Sequence, residues 1–156
     1  MKKPEYIWYK DTGIAHCVIK YKDLEFYGAA YCHPDDEDVK SSLTGQTIAE
    51  HRALIDYLRY VRDFELQPQL KALYQLYYSM KHSKHYNKKS YEAKMLYRQI
   101  NLLEKDLKSV KEAIADQKTE LRNYLNKKES AHETIRLFKK RKAELAENNQ
   151  NSSEES

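Results

Sequence analysis

Two histidine–cysteine pairs are the residues of this chain best suited to metal or redox chemistry. His16-Cys17 and Cys32-His33 lie near facing ends of two segments that we predict to be paired strands. Only one member of each pair can point to a given face of a sheet, so a zinc site would need a further ligand such as His51. Neither cysteine stands in a Gly-rich turn or a strand-to-helix elbow, as a catalytic nucleophile would. We therefore predict packed thiols with no metal, no cofactor and no catalytic residue, and a redox-sensitive cysteine pair is the alternative.

An acidic run follows the second pair, and it consists of Asp35, Asp36, Glu37 and Asp38. Hard cations prefer clustered oxygens, but the spacing of an EF-hand loop is absent. A run of like charges is typical of a solvated loop. The alternative is that the four acids imitate a phosphate path or dock an arginine cluster.

A long stretch without any acid, between Glu65 and Glu92, is the best candidate for a binding surface. Lysines there can neutralise phosphates and tyrosines can offer stacking faces, a combination used to bind nucleic-acid strands. The predicted contact residues are Lys81, Lys84, His85, Tyr86, Lys88 and Lys89. The alternative is that the tyrosines pack a helix and the lysines only solvate it.

A second basic cluster stands near the end of the chain and comprises Lys139, Lys140, Arg141 and Lys142. It is a further candidate contact for nucleic acid or another partner, although a basic run on a helix can also be simply a soluble face.

Composition narrows the possible functions. The 156 residues contain only three Gly and three Pro, which argues against a Gly-rich phosphate loop or a multi-strand sandwich. Fourteen Tyr against three Phe favour a binding protein over a catalyst, because Tyr is enriched in interfaces. No apolar run approaches the length of a membrane span or follows the first residues as in a signal peptide, so a cytoplasmic protein without membrane contact is expected.

Charge divides the chain into regions. Residues 1–65 carry nine Lys or Arg against twelve Asp or Glu, whereas residues 66–156 carry nineteen against twelve. We predict a head at 1–65, a helical or coiled-coil region at 66–147 and a disordered polar tail at 148–156.

The head is predicted to be a three-stranded antiparallel meander packed by one helix. Residues 5–10, 14–21 and 25–32 are the predicted strands, with Asp11-Thr12-Gly13 as a hairpin loop. Thr47 to Glu50 has the spacing of a capping box, so a helix is expected to begin there and cover the sheet.

The predicted helix ends at Gln67-Pro68, because the residue before proline avoids the α region. Pro68 suits the first turn of a second helix, and residues 81–89 are the predicted joint to a third. Together these elements give an α+β fold that is mostly α.

From residue 90 onward, apolar side chains repeat as heptads. Positions a and d are taken by Leu96, Ile100, Leu103, Leu107, Val110, Ile114, Gln117, Leu121, Tyr124, Lys128, Ala131, Ile135 and Phe138. Such a helix cannot bury this seam alone. It either forms a homodimeric coiled coil through residues 93–138, or folds back as a helical hairpin against 68–84 and onto itself through a break at 126–130.

Residues 14–60 carry a pattern of their own. Gly28 to Glu37 reads as a strand ending in Ala-x-Cys-x-Pro-x-Asp, and Gly45 to Ala53 contains Gly-x-x-Ile-Ala-x-x-Arg-Ala. This pattern resembles small, mostly uncharacterised accessory proteins of phages and prophages of Gram-positive bacteria. The resemblance implies a host-cell context in which many short non-enzymatic proteins bind host or phage machinery.

The residues predict a non-enzymatic protein that binds nucleic acid, or a complex that handles it, through the basic Tyr-rich segment, and the resemblance implies that it is a phage or prophage accessory protein. The alternative is a protein-binding inhibitor or scaffold, for example of a host defence system, that acts through its helices and its acidic loop.

Overall fold

The computed structural model describes residues 2–31 and 42–154 and confirms the predicted α+β, mostly α, fold. Its elements are β1 (Glu5–Tyr9), β2 (Ile14–Tyr21), β3 (Leu24–Tyr31), α1 (Ser42–Tyr60), a π-helical segment (Val61–Leu66), α2 (Gln67–Lys81) and α3 (Tyr91–Glu154). The chain forms two compact units, Met1–Lys118 and Thr119–Ser156. Among the described helices, none is both long and apolar enough to cross a membrane.

The three strands form the predicted antiparallel meander in the order β1-β2-β3. Gly13 has a φ of 68° at the end of the first turn, and its amide donates to the carbonyl of Tyr9 over 2.9 Å. The second turn contains only two residues, Lys22 and Asp23, and Lys22 takes a φ of 55°. A two-residue hairpin turn needs this left-handed conformation, which is unusual for a residue other than glycine.

Helix α1 lies directly against one face of the sheet, and small residues permit the close approach. A Cβ atom on Gly28 would stand only 1.9 Å from the carbonyl oxygen of Ala49 and 2.6 Å from the amide nitrogen of Ala53. Ala49 and Ala53 are fully buried there together with Cys17 and Ile19 of β2. The core of the first unit is therefore a β-sheet and a helix packed almost backbone to backbone.

Two predicted features of the first helix are wrong. The helix begins at Ser42, and the Thr47 hydroxyl donates to the Leu43 carbonyl one turn back instead of capping a helix start. It also continues past Pro68, since Gln67 keeps helical dihedral angles of −62° and −44°.

The π-helical segment explains why proline does not end the helix. Proline lacks an amide donor and its ring clashes with the carbonyl four residues back in an α-helix. Just before Pro68 the helix widens to a π-helical turn, in which the Gln67 amide donates to the carbonyl of Arg62, five residues back. The wider turn accommodates the ring, so α1, the π-helical segment and α2 follow one another without a loop.

Within the first unit, α3 folds back along α1 and α2. Tyr74 of α2 donates a hydrogen bond to Glu104 of α3, and His51 of α1 lies 2.7 Å from Gln117. The heptad residues Ala93, Leu96, Ile100 and Ile114 are buried on this side. The predicted helical hairpin is therefore present, with its joint at residues 82–90.

The second unit consists of the rest of α3. The helix runs through residues 126–130, where a break was one of the predicted alternatives, and the Thr134 hydroxyl donates to the Ser130 carbonyl over 2.9 Å. It also extends to Glu154, so residues 148–154 are helical where the sequence predicts disorder. Each further residue adds a hydrogen bond to a helix that is already nucleated, which favours continuation even without apolar contacts.

Candidate nucleic-acid interface

The joint between α2 and α3 is a tightly hydrogen-bonded turn, and we call residues 81–90 the lysine turn. Its backbone folds through bonds from the amide of Ser83 to the carbonyl of Met80 and from the amide of Tyr86 to the carbonyl of Ser83, at 3.1 and 3.2 Å. The side-chain oxygen of Asn87 accepts a bond from the amide of Lys89 over 3.0 Å. Local bonds of this kind hold the turn in one shape, so its side chains project from a defined backbone.

Ser90 closes the lysine turn by capping α3. Its hydroxyl oxygen accepts a hydrogen bond from the amide of Ala93 over 3.2 Å, as a serine N-cap does. Ala93 is buried, so the first turn of α3 is fixed both by the cap and by packing.

The predicted cationic residues of this segment are brought together on the lysine turn. Lys81, Lys84, Lys88 and Lys89 are exposed, as are His82 and His85. In the part of the chain that the structure describes, no carboxylate forms an ion pair with any of these lysines. The lysine turn is therefore a concentration of positive charge that the fold itself does not neutralise.

The tyrosines of the segment divide into structural and exposed ones. Tyr74 bonds to Glu104. Tyr86, a predicted contact residue, is half-buried against Tyr77, and burial together with Tyr77 raises the pKa of its hydroxyl. Tyr74 thus connects α2 to α3, and Tyr77 and Tyr86 connect α2 to the lysine turn, which is the packing role that the alternative interpretation of the sequence expects.

Two other tyrosines flank the lysine turn with their rings in solvent. Tyr78 stands on the last turn of α2 and is 58% exposed, and Tyr91 is the first residue of α3 and is 73% exposed. Tyr78 is one of the tyrosines of the acid-free segment that the sequence predicts to offer stacking faces, whereas Tyr91 is not among the predicted contact residues. The heptad pattern contains the signal for Tyr91, because with Ile100 at position a it occupies the outward f position. Tyr78 similarly lies away from the apolar face of α2, which is formed by Leu70, Leu73, Tyr77 and Met80.

The second basic cluster lies in the second unit, and all of its members are exposed on α3. Four consecutive helical residues point in directions about 100° apart, so Lys139, Lys140, Arg141 and Lys142 surround the helix instead of sharing one face. At most two of them can contact one strand of nucleic acid. This arrangement concentrates charge less well than the lysine turn does.

The residues considered for metal or nucleophilic chemistry are not assembled into a site within the described residues. Cys32, His33 and the acidic loop at 35–38 lie outside them. His16 is half-buried, and its ring contacts that of Tyr9 with centroids 5.3 Å apart. Across residues 2–31 and 42–154, no group of three or more His, Cys, Asp or Glu side chains is arranged to hold a metal.

Cys17 lies fully buried under α1. Burial raises the pKa of its thiol to about 11, and the nearby Glu50 carboxylate adds to the increase. The same environment raises the pKa of Tyr6 to about 12, through burial and a hydrogen bond to Glu50. A nucleophilic cysteine needs a thiolate near neutral pH, so Cys17 has the properties of a core residue.

Comparisons of the chain with protein-family models, curated proteins and solved structures give no match. Its function is therefore inferred from its own residues.

Proposed function

We propose that this protein binds nucleic acid, or a complex that carries it, through the lysine turn, and that it acts by binding and not by catalysis. The observation that carries the proposal is the group Lys81, Lys84, Lys88 and Lys89, exposed on a fixed backbone without an acidic partner among the described residues. Lysines are point charges that neutralise phosphates, and their binding releases counterions from the nucleic acid.

The positions of two lysines favour a binding role over a purely structural one. Lys88 and Lys89 directly precede the cap of α3, where the helix dipole is positive. Positive charge at this end costs a helix about 0.3–1 kcal/mol, whereas Lys81 in the last turn of α2 is favourable. Lys88 and Lys89 therefore add to a positive potential at the expense of folding stability, which an anionic ligand would offset.

The expected mode of recognition is independent of sequence. Base edges are read mainly by bidentate side chains such as Arg, Asn and Gln. The lysine turn offers lysine ammonium groups, with Asn87 already bonded to the backbone, so its contacts are expected to be with phosphates. Lys139 to Lys142 in the second unit are proposed as a secondary contact of the same kind.

As the biological setting we propose an accessory protein of a phage or prophage in the cytoplasm of its host, on the strength of the pattern in residues 14–60. Nucleic acid and the complexes that process it are abundant there.

For self-association, which the sequence predicts through residues 93–138, we propose a shorter segment. Leu96, Ile100 and Ile114 are buried within the chain, and the heptad residues between them are half-buried, so this part of the seam offers little apolar surface to a second copy. Further along, Ile135 and Phe138 are exposed on α3 and remain candidates for a homodimer seam.

A second candidate function, protein binding, is favoured by the sheet face opposite α1. Ile7, Tyr27 and Tyr31 on this face are 44%, 58% and 61% exposed. Exposed aromatic and apolar side chains of this kind are typical of protein interfaces. Under this alternative the protein is an inhibitor or scaffold, and the lysine turn is a solvated end of the hairpin.

Fluorescence anisotropy with labelled single-stranded and duplex DNA separates the two functions. The test variant carries Lys81→Ala, Lys84→Ala, Lys88→Ala and Lys89→Ala. The matched control removes the same charge from the exposed face of α3 through Lys105→Ala, Lys108→Ala, Lys111→Ala and Lys118→Ala.

We expect the logarithm of the native protein's binding constant to fall linearly with the logarithm of the salt concentration. In the lysine-turn variant the slope of this line should be smaller in magnitude by about 3. The control should change the slope much less, while circular dichroism shows that both variants fold. Equal effects of both variants, or no binding by the native protein at low salt, would reject the lysine turn as the site and favour protein binding.

A further inference from the structure

The lysine turn is flanked by two exposed aromatic rings, one on each helix that it connects. Tyr78 belongs to the last turn of α2, and Tyr91 begins α3. Because α2 and α3 run antiparallel, as the Tyr74–Glu104 bond requires, their joined ends lie at the same end of the hairpin. The two rings and the lysines therefore belong to one surface.

The exposure of these rings is not explained by packing within the described chain. Tyr74, Tyr77 and Tyr86 in the same segment are all half-buried and have partners. Tyr78 makes a T-shaped contact with the ring of Tyr77, with centroids 6.1 Å apart, yet both Tyr78 and Tyr91 leave more than half of their surface in water. Single exposed tyrosines are common, but two beside an unneutralised group of lysines form a combination with a specific chemistry.

Helical geometry places cations next to the Tyr78 ring. Residues three and four positions apart share a helix face, so Lys81 lies beside Tyr78, and His82 follows at the end of the helix. On α3, the cap at Ser90 fixes the backbone of Tyr91 immediately after Lys88 and Lys89. Each ring thus has a phosphate-neutralising lysine as a close neighbour in the chain.

This arrangement distinguishes between forms of nucleic acid. In a duplex the faces of the bases are stacked on one another and unavailable, whereas in a single strand they are open to aromatic side chains. Lysines contact the phosphates of both forms, and the higher charge density of a duplex makes its electrostatic contribution the larger one. A surface of lysines alone would not prefer a single strand, but a surface that adds free rings would.

We propose that the lysine turn is a single-strand site, in which Tyr78 and Tyr91 stack on bases while the neighbouring lysines neutralise the phosphates between them. This inference depends on the proposed nucleic-acid binding and specifies its substrate class. Stacking uses the base and not the sugar, so DNA and RNA single strands are both expected ligands.

The test compares labelled oligo-dT, oligo-rU and a DNA duplex of equal length by fluorescence anisotropy. The test variant is Tyr78→Ala with Tyr91→Ala, and the conservative variant is Tyr78→Phe with Tyr91→Phe, which keeps the rings. A matched control removes two equally exposed tyrosines elsewhere, through Tyr27→Ala and Tyr97→Ala, which are 58% and 60% exposed in the native chain.

We expect the alanine variant to lose affinity for both single strands by about tenfold for each ring removed, with duplex affinity changed less than about twofold. The phenylalanine variant should keep its affinity, and the control should behave as the native protein. A loss on only one of the two single strands would support stacking and make that strand the ligand, because oligo-dT and oligo-rU differ in the base methyl group as well as in the sugar.

Two results would overturn the inference while leaving the proposed function standing. One is an unchanged affinity for single strands in the alanine variant, in an experiment in which removal of the four lysines still weakens binding. The other is an equal loss on single strand and duplex. If removal of the four lysines has no effect on any of the oligonucleotides, the proposed function itself fails.

Discussion

Two regions of the first unit are built under opposite constraints: the interface between β3 and α1, and the lysine turn. At the interface, Gly28 stands so close to the backbone of Ala49 and Ala53 that even one added methyl group has no room. At the lysine turn, backbone bonds fix the shape while the lysine side chains extend into solvent. Side-chain volume thus limits which residues fit at the interface, whereas the residues of the lysine turn are characterised by their charge. Substitutions in the two regions should therefore separate stability from binding.

The largest expected effect comes from breaking the interface with Gly28→Ala. The new Cβ atom would meet the Ala49 carbonyl oxygen at 1.9 Å, and because that oxygen belongs to the backbone, the sheet and α1 must separate. We expect a loss of about 3 kcal/mol in the free energy of unfolding, as for other overpacked cores. Urea unfolding monitored by the fluorescence of Trp8, the one tryptophan of the chain, measures it.

The matched control is Gly45→Ala in the first turns of α1. Its Cβ atom would stand 2.9 Å from the Cβ atom of Ala15 and 3.4 Å from the Trp8 ring, so β2 must also shift, but much less than at Gly28. A gain of about 1 kcal/mol in helix propensity offsets part of that cost. At a temperature where both variants are folded, DNA affinity should stay native in each. A Gly28→Ala protein as stable as Gly45→Ala would show that the close packing of β3 and α1 does not constrain this position.

The contrast also explains how much of the structure the sequence predicts. Strand alternation and turn residues predict the meander, because both are local: β2 and β3 occupy almost the predicted residues, and Gly13 adopts the expected positive φ. The contact of Gly28 with Ala49 and Ala53 is not among the predictions, because it depends on how the helix is placed on the sheet. The folding back of α3 was one of two alternatives, since a heptad seam does not specify which surface covers it.

The wrong predictions of where helices begin and end have a common cause, because neighbouring residues change the backbone context on which each local rule depends. A rule for the residue before proline predicts a helix end at Gln67, but a π-helical turn in the preceding six residues removes the clash. A capping-box spacing predicts a start at Thr47, but the preceding residues extend the helix to Ser42. The composition of residues 66–91 indicates a basic, tyrosine-rich segment but not which rings face solvent. For Tyr91 the heptad position supplies that information, because f positions point outward.

The second prediction sharpens the contrast at the lysine turn itself. Replacing Lys88 and Lys89 by Gln removes two positive charges from the positive end of the α3 dipole while keeping the amide that bonds to Asn87. We expect the free energy of unfolding to rise by about 0.5 kcal/mol while affinity for single-stranded DNA falls. Chemical denaturation and anisotropy on the same samples measure the two changes.

Lys81→Gln is the control for the prediction that stability rises while affinity falls. Lys81 lies in the last turn of α2, at the negative end of the helix, so its removal should lower both stability and affinity. If the Lys88 and Lys89 variant is less stable than the native protein, these lysines contribute to the fold and the dipole argument for a binding role is wrong.

The smallest expected effect concerns an ion pair between the β2–β3 turn and the π-helical segment, next to the β3–α1 interface; we call this part of the first unit the packed region. The lysine turn has no such pair with any described residue. The carboxylate of Glu65 accepts hydrogen bonds from the ammonium of Lys22 over 2.9 Å and from the hydroxyl of Tyr21 over 3.0 Å. Lys22, and then Tyr21, hold the pKa of Glu65 below its usual value of 4.5, against the opposite effect of burial. Because the folded pKa is the lower one, the stabilisation is complete above about pH 4.5 and is lost as the pH falls through the folded pKa.

Glu65→Gln should therefore cost about 0.5 kcal/mol at pH 7, as is usual for an ion pair with a solvent-exposed lysine, and the difference in stability from the native protein should disappear as the pH falls below 4.5. Tyr21→Phe, which removes one bond and keeps Lys22, should cost less and retain most of the pH dependence. Denaturant unfolding between pH 3 and 7 follows both variants. If the difference in unfolding free energy between the native protein and Glu65→Gln stays constant across that range, Glu65 stabilises the β2–β3 turn by its shape and not by its charge. The packed region and the lysine turn would then differ in side-chain packing alone, and paired charge would have no part in the difference.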